Sequence, residues 1–515
     1  MTNKLFNDAI KLLEKGKNDK ALALFEQVIK RNPNHYLGLH FYGLLSISAL
    51  KFDQGVGPMN RAMQAQPGNQ TFRANQLQAG QMALSKQNLA AAIDLLQMAH
   101  RHHPSDLAIT VQLAKAFLLS KKIDTAFSLL KDLPDNTDFF ANFYLATASL
   151  LMTHAAKAKR HMLKALQIMP LHKHGPINGK PDGQLKVLVC YATESFPFRP
   201  IINNGDIAFS FDSGHFDVGI FLSRLNINLD RLFISDCQSC HAALENVGEY
   251  DLLINVMADP EITRKPLQQL QDALDNSKTK LPGVINLPKQ VLSTNREDVY
   301  EQLHALEHVV MATTWQLRVE ADEDKARQQF SDIATPFLLR PLGSSTGVGL
   351  EKIEHIAESS GILGGLIDTA LNICPFIDFK SADGHYRKYR VFVINGEIFP
   401  EHCVVSDHWN VHSSSRFQLM QDSQQFRAEE QDFVLDIKQV LKPQHISAIK
   451  KIAELLKLDY FGIDFSFTDT GELLVFEANS GMRVNPDYLA DFPYLQAPIV
   501  AIISAFQKLI VQRSA

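Results

Sequence analysis

Over roughly the first 170 residues, apolar positions recur at helical spacing, and prolines interrupt the pattern at Pro33, Pro67, Pro104, Pro134 and Pro170. Their intervals are 34, 37, 30 and 36 residues. The segments between them are alike: LLEKGKNDKALALFEQVIKRNPN, ALSKQNLAAAIDLLQMAHRHHPS and LLSKKIDTAFSLLKDLPDN. Each predicts a helix, a short polar turn, a small residue (Ala21, Ala92, Ala126) and a second helix that stops before its proline. Past HKHGPINGKPDGQ at 172–184, polar and rich in Gly and Pro, the period shortens, and that segment is predicted to be a linker.

The repeated period and small residues in 1–171 resemble the tetratricopeptide-repeat family. That resemblance implies an all-α solenoid whose concave face takes a peptide or protein partner. The array could instead serve to pack against the rest of the chain or to form a homo-oligomer. His100, His102 and His103, at a helix end, are expected to face its carbonyls or solvent.

Downstream, KVLVCYA (186–192) and YDLLINVMAD (250–259) predict strands of an α/β domain over 185–290. Residues 291–515 then hold a helix opening near Asn295, a strand leading into GSSTGVG (343–349), and KYRVFVINGEIFPEHCVV with an Asn-Gly turn at 395–396. Near the end, YFGIDFSF, the turn TDTGE and LLVFE predict a β-hairpin. If its turn centres on Thr470 and Gly471, Asp464 lies opposite Glu477, with Asn479 projecting the same way as Glu477. Opposed carboxylates repel, so the pair calls for a cation, and hard oxygen ligands suit Mg²⁺ carrying phosphates. GSSTGVG is no P-loop, since no Gly-Lys-Ser/Thr follows. Its small residues would let backbone amides close over phosphate, with Arg340 just before it.

This order of features over about 184–515 resembles the ATP-grasp superfamily, which includes D-alanine–D-alanine ligase, glutathione synthetase and ribosomal-protein glutamate ligases. The fold class it implies is multidomain: the repeat solenoid, an α/β pre-ATP-grasp domain, and an α+β ATP-grasp fold. The resemblance implies that Asp464, Glu477 and Asn479 bind two Mg²⁺ ions, with Mn²⁺ as a substitute, bridging the phosphates of ATP. It places Arg296 and Arg340 where the family commonly has nucleotide-binding lysines. Gly343, Ser344, Ser345, Thr346 and Gly347 become the phosphate-covering loop, Phe376 and Ile377 the adenine hinge, and Asp378 a ribose neighbour. Pro375 offers no N–H, so the hinge donor must come from a neighbour. Arg390 resembles the arginine that reaches the γ-phosphate, and Arg483 would hold an acylphosphate or a substrate carboxylate. The D-alanine ligases have an arginine two residues before the metal aspartate, where this chain has Gly462, which argues against D-alanine as substrate.

The implied activity is an ATP-dependent carboxylate–amine ligase working through an acylphosphate, on a peptide, protein or amino-acid-derived substrate recruited by the repeats. A phosphotransferase and a non-catalytic repeat scaffold stay open as alternatives. A net charge of −5 in 515 residues gives no electrostatic case for nucleic acid. No uninterrupted apolar run of membrane-spanning length and no signal-peptide pattern stand in the sequence, so a cytoplasmic protein is expected. Five cysteines suggest no disulfide framework. CQSCH at 237–241 matches the c-type haem attachment pattern in form and also reads as a helix start with incidental cysteines. His408 and His412, four apart in HWNVH, would share a face if that segment were helical, and otherwise belong to a loop.

Overall fold

The structure, a computed structural model, describes residues 2–134, 138–177, 185–193, 198–203, 205–211, 214–277, 282–344, 349–356 and 365–514. It divides into two compact units, the first comprising 1–169 and 197–210, the second 170–196 and 211–515.

In the first unit the described helices are α1 (Thr2–Glu14), α2 (Asn18–Arg31), α3 (Tyr36–Ser48), α4 (Phe52–Ala65), α5 (Gln70–Ser85), α6 (Leu89–His102), α7 (Leu107–Leu119), α8 (Ile123–Leu130), α9 (Phe139–Leu151) and α10 (Ala155–Ile168). Every even-numbered one stops two to four residues before a proline of the repeat. Asn69, Asn88, Asp106 and Asp138 each cap the helix that follows, accepting a backbone N–H from its first turn. Ala21, Ala92 and Ala126 are fully buried, as the repeat pattern predicts. Helices α3 and α4 meet at Gly43 and Gly55: a Cβ on Gly43 would stand 2.8 Å from the Gly55 carbonyl oxygen.

One segment departs from the expected domain bounds. Residues 197–210, expected within 185–290, group with the repeat unit as a hairpin of β3 (Phe198–Asn203) and β4 (Asp206–Phe211). Lys115 on α7 binds Asp206 at 2.6 Å, and Phe143 on α9 packs on Phe209 with centroids 5.4 Å apart. These contacts, not sequence order, assign the hairpin.

The second unit opens on another correction. Of the expected linker, 172–177 lies in strand β1 (Leu171–Ile177), and 178–184 lies outside the described residues. Gly175, at φ +73°, lets β1 shift register and still pair with β5 (Ile227–Ile234), which satisfies its backbone groups. The sheet runs β1-β5-β2-β6-β7, with β2 (Leu185–Ala192), β6 (Leu252–Asn255) and β7 (Gly283–Ile285) parallel to β5. A second, antiparallel sheet runs β11-β10-β12-β9, from β9 (Trp315–Arg318), β10 (Phe337–Pro341), β11 (Glu351–Ile353) and β12 (Ala370–Pro375). A third runs β14-β13-β15-β16-β8, from β8 (Val309–Val310), β13 (Tyr386–Ile394), β14 (Glu397–Ser406), β15 (Tyr460–Phe467) and β16 (Leu473–Asn479). Asn395 and Gly396, both at positive φ, make the expected two-residue turn between β13 and β14.

Asn286, after β7, joins the first sheet to the third. Its side chain donates to the Tyr460 carbonyl at 2.8 Å and accepts from the Asp459 and Tyr460 amides at 2.9 and 3.0 Å. The expected boundary near 290 therefore falls inside one compact unit. The C-terminal helix Gln496–Ser514 lies in a segment long and apolar enough to cross a membrane by length and composition, and its Ile502, Phe506, Leu509 and Ile510 are buried in this unit. Cys237 immediately precedes a helix, Gln238–Leu244, so CQSCH is a helix start.

Candidate functional site

The site grows from strand register. On the third sheet Asp464 pairs with Glu477, as the hairpin arithmetic predicts, but by an unexpected route. Near the turn Phe467 faces Leu473, one residue out of the expected register, and a register shift between Asp464 and Phe465 restores the pair. Asp464 also pairs with Arg390 on β13, and Arg390 with His402 on β14. His402, Arg390, Asp464 and Glu477 thus form one row across four strands and line one cavity of about 630 Å³. That volume suits a small-molecule ligand.

The row is electrostatically matched. Arg390 donates to Asp464 twice, Nε to Oδ1 at 2.5 Å and Nη2 to Oδ2 at 2.8 Å, and Lys388 Nζ stands 3.6 Å from Oδ2. Burial alone would raise the Asp464 carboxyl; Arg390 and Lys388 override it and hold it well below the usual carboxylate range. Arg296, the first residue of the helix Arg296–Leu303, reaches Glu477 at 3.2 Å and stands 3.8 Å from Glu261. Asn479 donates to Glu477 Oε1 at 2.5 Å and accepts the Gly481 amide. The repulsion that seemed to demand a metal is therefore met by two guanidinium groups, one for each carboxylate.

The other walls come from the second sheet and the start of the helix Pro260–Asp275. Arg340 lines the cavity and is tied to Ser344 through its hydroxyl and carbonyl. Burial, then Arg296, lowers the pKa of the Arg340 guanidinium. Asn372 binds both oxygens of Glu261 at 3.1 Å. Asp259 caps the helix through the Glu261 amide; burial and then Glu261 push its carboxyl up to about 6.

Of the residues singled out in the sequence, Arg296, Arg340, Ser344, Phe376, Ile377, Arg390, Asp464, Glu477, Asn479 and Arg483 all line this cavity. Gly343 and Asp378 do not; Asp378 caps the Lys380 amide and holds the Tyr386 hydroxyl. Ser345, Thr346 and Gly347 lie outside the described residues. The Phe376 amide is committed to the Pro336 carbonyl at 3.0 Å. At Gly462 a Cβ would collide with Met482, so the close packing there requires glycine. The HWNVH segment is a loop; His412 and Trp409 line the cavity and His408 does not.

Sequence reasoning missed Lys388, Glu261, Glu401 and His402. A charged pair, Glu-His, inside the apolar run of β14 was the available signal: at least one of the two must face a buried polar site.

Neither a family model nor a curated protein sequence matches the chain. Among solved structures it is similar to an N5-carboxyaminoimidazole ribonucleotide synthetase in complex with ADP, at 12% identity over 60% of this chain and 73% of that one, with a TM-score of 0.35. It is similar to D-alanyl-alanine synthetase A from Vibrio cholerae at 11% identity over 64% of this chain and 97% of that one, with a TM-score of 0.37. It is also similar to YrrB, a tetratricopeptide-repeat protein with an unusual peptide-binding site, at 16% identity over 32% and 85% of the two chains, with a TM-score of 0.26. The ATP-grasp ligase matches lie over the C-terminal part and the tetratricopeptide-repeat matches over the N-terminal part.

Proposed function

We propose that the second unit is an ATP- and Mg²⁺-dependent ligase that joins a carboxylate to an amine, releasing ADP and phosphate. The observation that carries this reading is the row on the third sheet: two opposed carboxylates with an amide beside them, flanked by arginines, on the wall of one cavity. Asp464, Glu477 and Asn479 offer hard oxygen donors of the kind Mg²⁺ takes, and Asp464 is held ionised, as a metal ligand must be. Arg390 uses one lone pair on each Asp464 oxygen, which leaves others for a metal. Bound there, Mg²⁺ would neutralise charge on the phosphate oxygens.

The chain's own residues then have distinct tasks. Arg340 and Arg390 hold phosphate oxygens and stabilise charge that builds up as the γ-phosphoryl group moves to the substrate carboxylate. Arg296 sits beside Glu477 and aligns the phosphates. Phe376 and Ile377 enclose the base, with the Ile377 amide as hinge donor because that of Phe376 is taken. Arg483 holds the acyl group. No side-chain nucleophile is required. The repeat unit would recruit a peptide or protein substrate along its apolar cavity at Leu13, Phe41, Leu45 and Met82.

The test is calorimetric titration with ATP, with and without Mg²⁺, on the intact protein and on Asp464→Asn. Binding that needs Mg²⁺ and is lost in the variant supports the reading; absence of binding under every metal condition sinks it.

A further inference from the structure

Consecutive residues on a regular strand face opposite ways. Glu401 and His402 do not: the pairing of β13 with β14 steps from Val391–Pro400 to Arg390–His402, so Glu401 is the extra residue of a bulge, and both side chains line the cavity. They are 4% and 7% exposed. Glu401 Oε1 accepts the Asn485 amide at 3.2 Å, while Oε2 stands 3.0 Å from His402 Nδ1 and 3.8 Å from Arg390 Nη1. His402 Nε2 has no hydrogen-bond partner among the described residues. A ring nitrogen left over this deep in the cavity wall points to a ligand that satisfies it.

We propose that His402, its ring oriented by Glu401, forms the receptor for the amine nitrogen of the acceptor substrate, a role that rests on the ligase reading of this cavity. The carboxylate beside Nδ1 places the ring proton there, so Nε2 presents a lone pair. Burial pushes the imidazole down to about 4, which keeps that lone pair available at neutral pH. The unsatisfied Nε2 therefore accepts, and a group that donates, such as an amine, suits it; a carboxylate or phosphate offers no donor. The location fits as well. Strands lie about 4.8 Å apart, so His402 is roughly 10 Å across the sheet from Asp464, with space for an acyl group between amine and phosphates.

The experiment titrates the full chain with a panel of methylamine, the twenty amino acids and their N-acetyl forms, with and without ADP and Mg²⁺. The intact protein, His402→Ala, His402→Gln and Glu401→Gln are compared. The expected result is that a free amine binds and its N-acetyl form does not. His402→Ala should weaken it at least tenfold, and His402→Gln, whose side-chain oxygen also accepts, should recover part of the loss. Melting curves and ADP titration of the variants show that they are folded. If no amine binds, if the N-acetyl form binds equally well, or if neither His402→Ala nor Glu401→Gln changes affinity, the proposal falls. A protein that ignores ADP with Mg²⁺ while its amine binding still depends on His402 would overturn the ligase reading alone.

Discussion

Arg390 on β13 and Asp464 on β15 are direct cross-strand neighbours, and their two parallel hydrogen bonds, 2.5 and 2.8 Å long, join the cationic half of the site to its carboxylate half. Asp464 is nearly inaccessible, so Arg390→Met would leave a buried carboxylate whose one remaining ion-pair partner among the described residues is Lys388, at 3.6 Å. Breaking such a pair costs about 3–5 kcal/mol. Denaturant unfolding should show that loss. Asp464→Asn, which keeps the shape and removes the charge, should lose less stability while losing metal-dependent nucleotide binding. The sign with pH follows from the depressed carboxyl. Its contribution is complete above the ordinary aspartate range, begins to fall as pH drops below about 4, and is gone only below the depressed value of the folded state. An acid titration of Asp464→Asn should lack that component.

Arg340 is tied to Ser344, at the start of the glycine-rich segment, so it links that start to the cavity wall. Arg340→Met removes a charge-assisted contact to phosphate, worth about 1.5–3 kcal/mol, or roughly 10–150-fold in nucleotide affinity. Arg340→Lys should restore part of the affinity, because a point charge replaces a planar fork. Equal affinity in all three proteins would remove Arg340 from the phosphate site.

Much of this site was legible because local rules set it. Proline ends helices and small residues mark close packing, so the repeat unit follows from Pro33 to Pro170 and from Ala21, Ala92 and Ala126. The Asp464–Glu477 pairing followed from counting outward from a turn, although a bulge and a shifted turn had to compensate each other. Bulges are what pattern reading cannot see. The one at Glu401 turns a strand residue toward the cavity, and nothing in PEHCVV announces which way it points. Long-range commitments were equally hidden: the Phe376 amide is taken by Pro336, 40 residues earlier in the chain, and Arg296 is claimed by Glu477, 181 residues away.

Asp259 offers a test of opposite sign. Burial and Glu261 push its carboxyl up to about 6, so the folded state holds its proton more tightly than the unfolded chain does. Stability is favoured below the ordinary aspartate range and is lost as pH rises through about 6. Asp259→Asn keeps the helix cap and removes the penalty. Allowing for its partial exposure, the variant should gain of order 1–2 kcal/mol at pH 8 and nothing at pH 4. Urea midpoints at the two pH values decide it, and an equal shift at both would contradict the assigned cause.

Asn286 carries the last prediction. Its carboxamide is fully buried and serves three backbone groups of β15 and the residue before it, while the Asn286 backbone carbonyl accepts from Asn255 at 3.0 Å. Leucine would fill a similar volume and leave the Asp459 and Tyr460 amides and the Tyr460 carbonyl without partners. Each buried group so stranded costs about 1–3 kcal/mol. Asn286→Leu should therefore lose several kcal/mol, more than most single substitutions. Because the side chain joins the first sheet to the third, hydrogen exchange should quicken at β15 while the helices of the repeat unit keep their protection. If exchange quickened equally in both units, the loss would not be local to this junction.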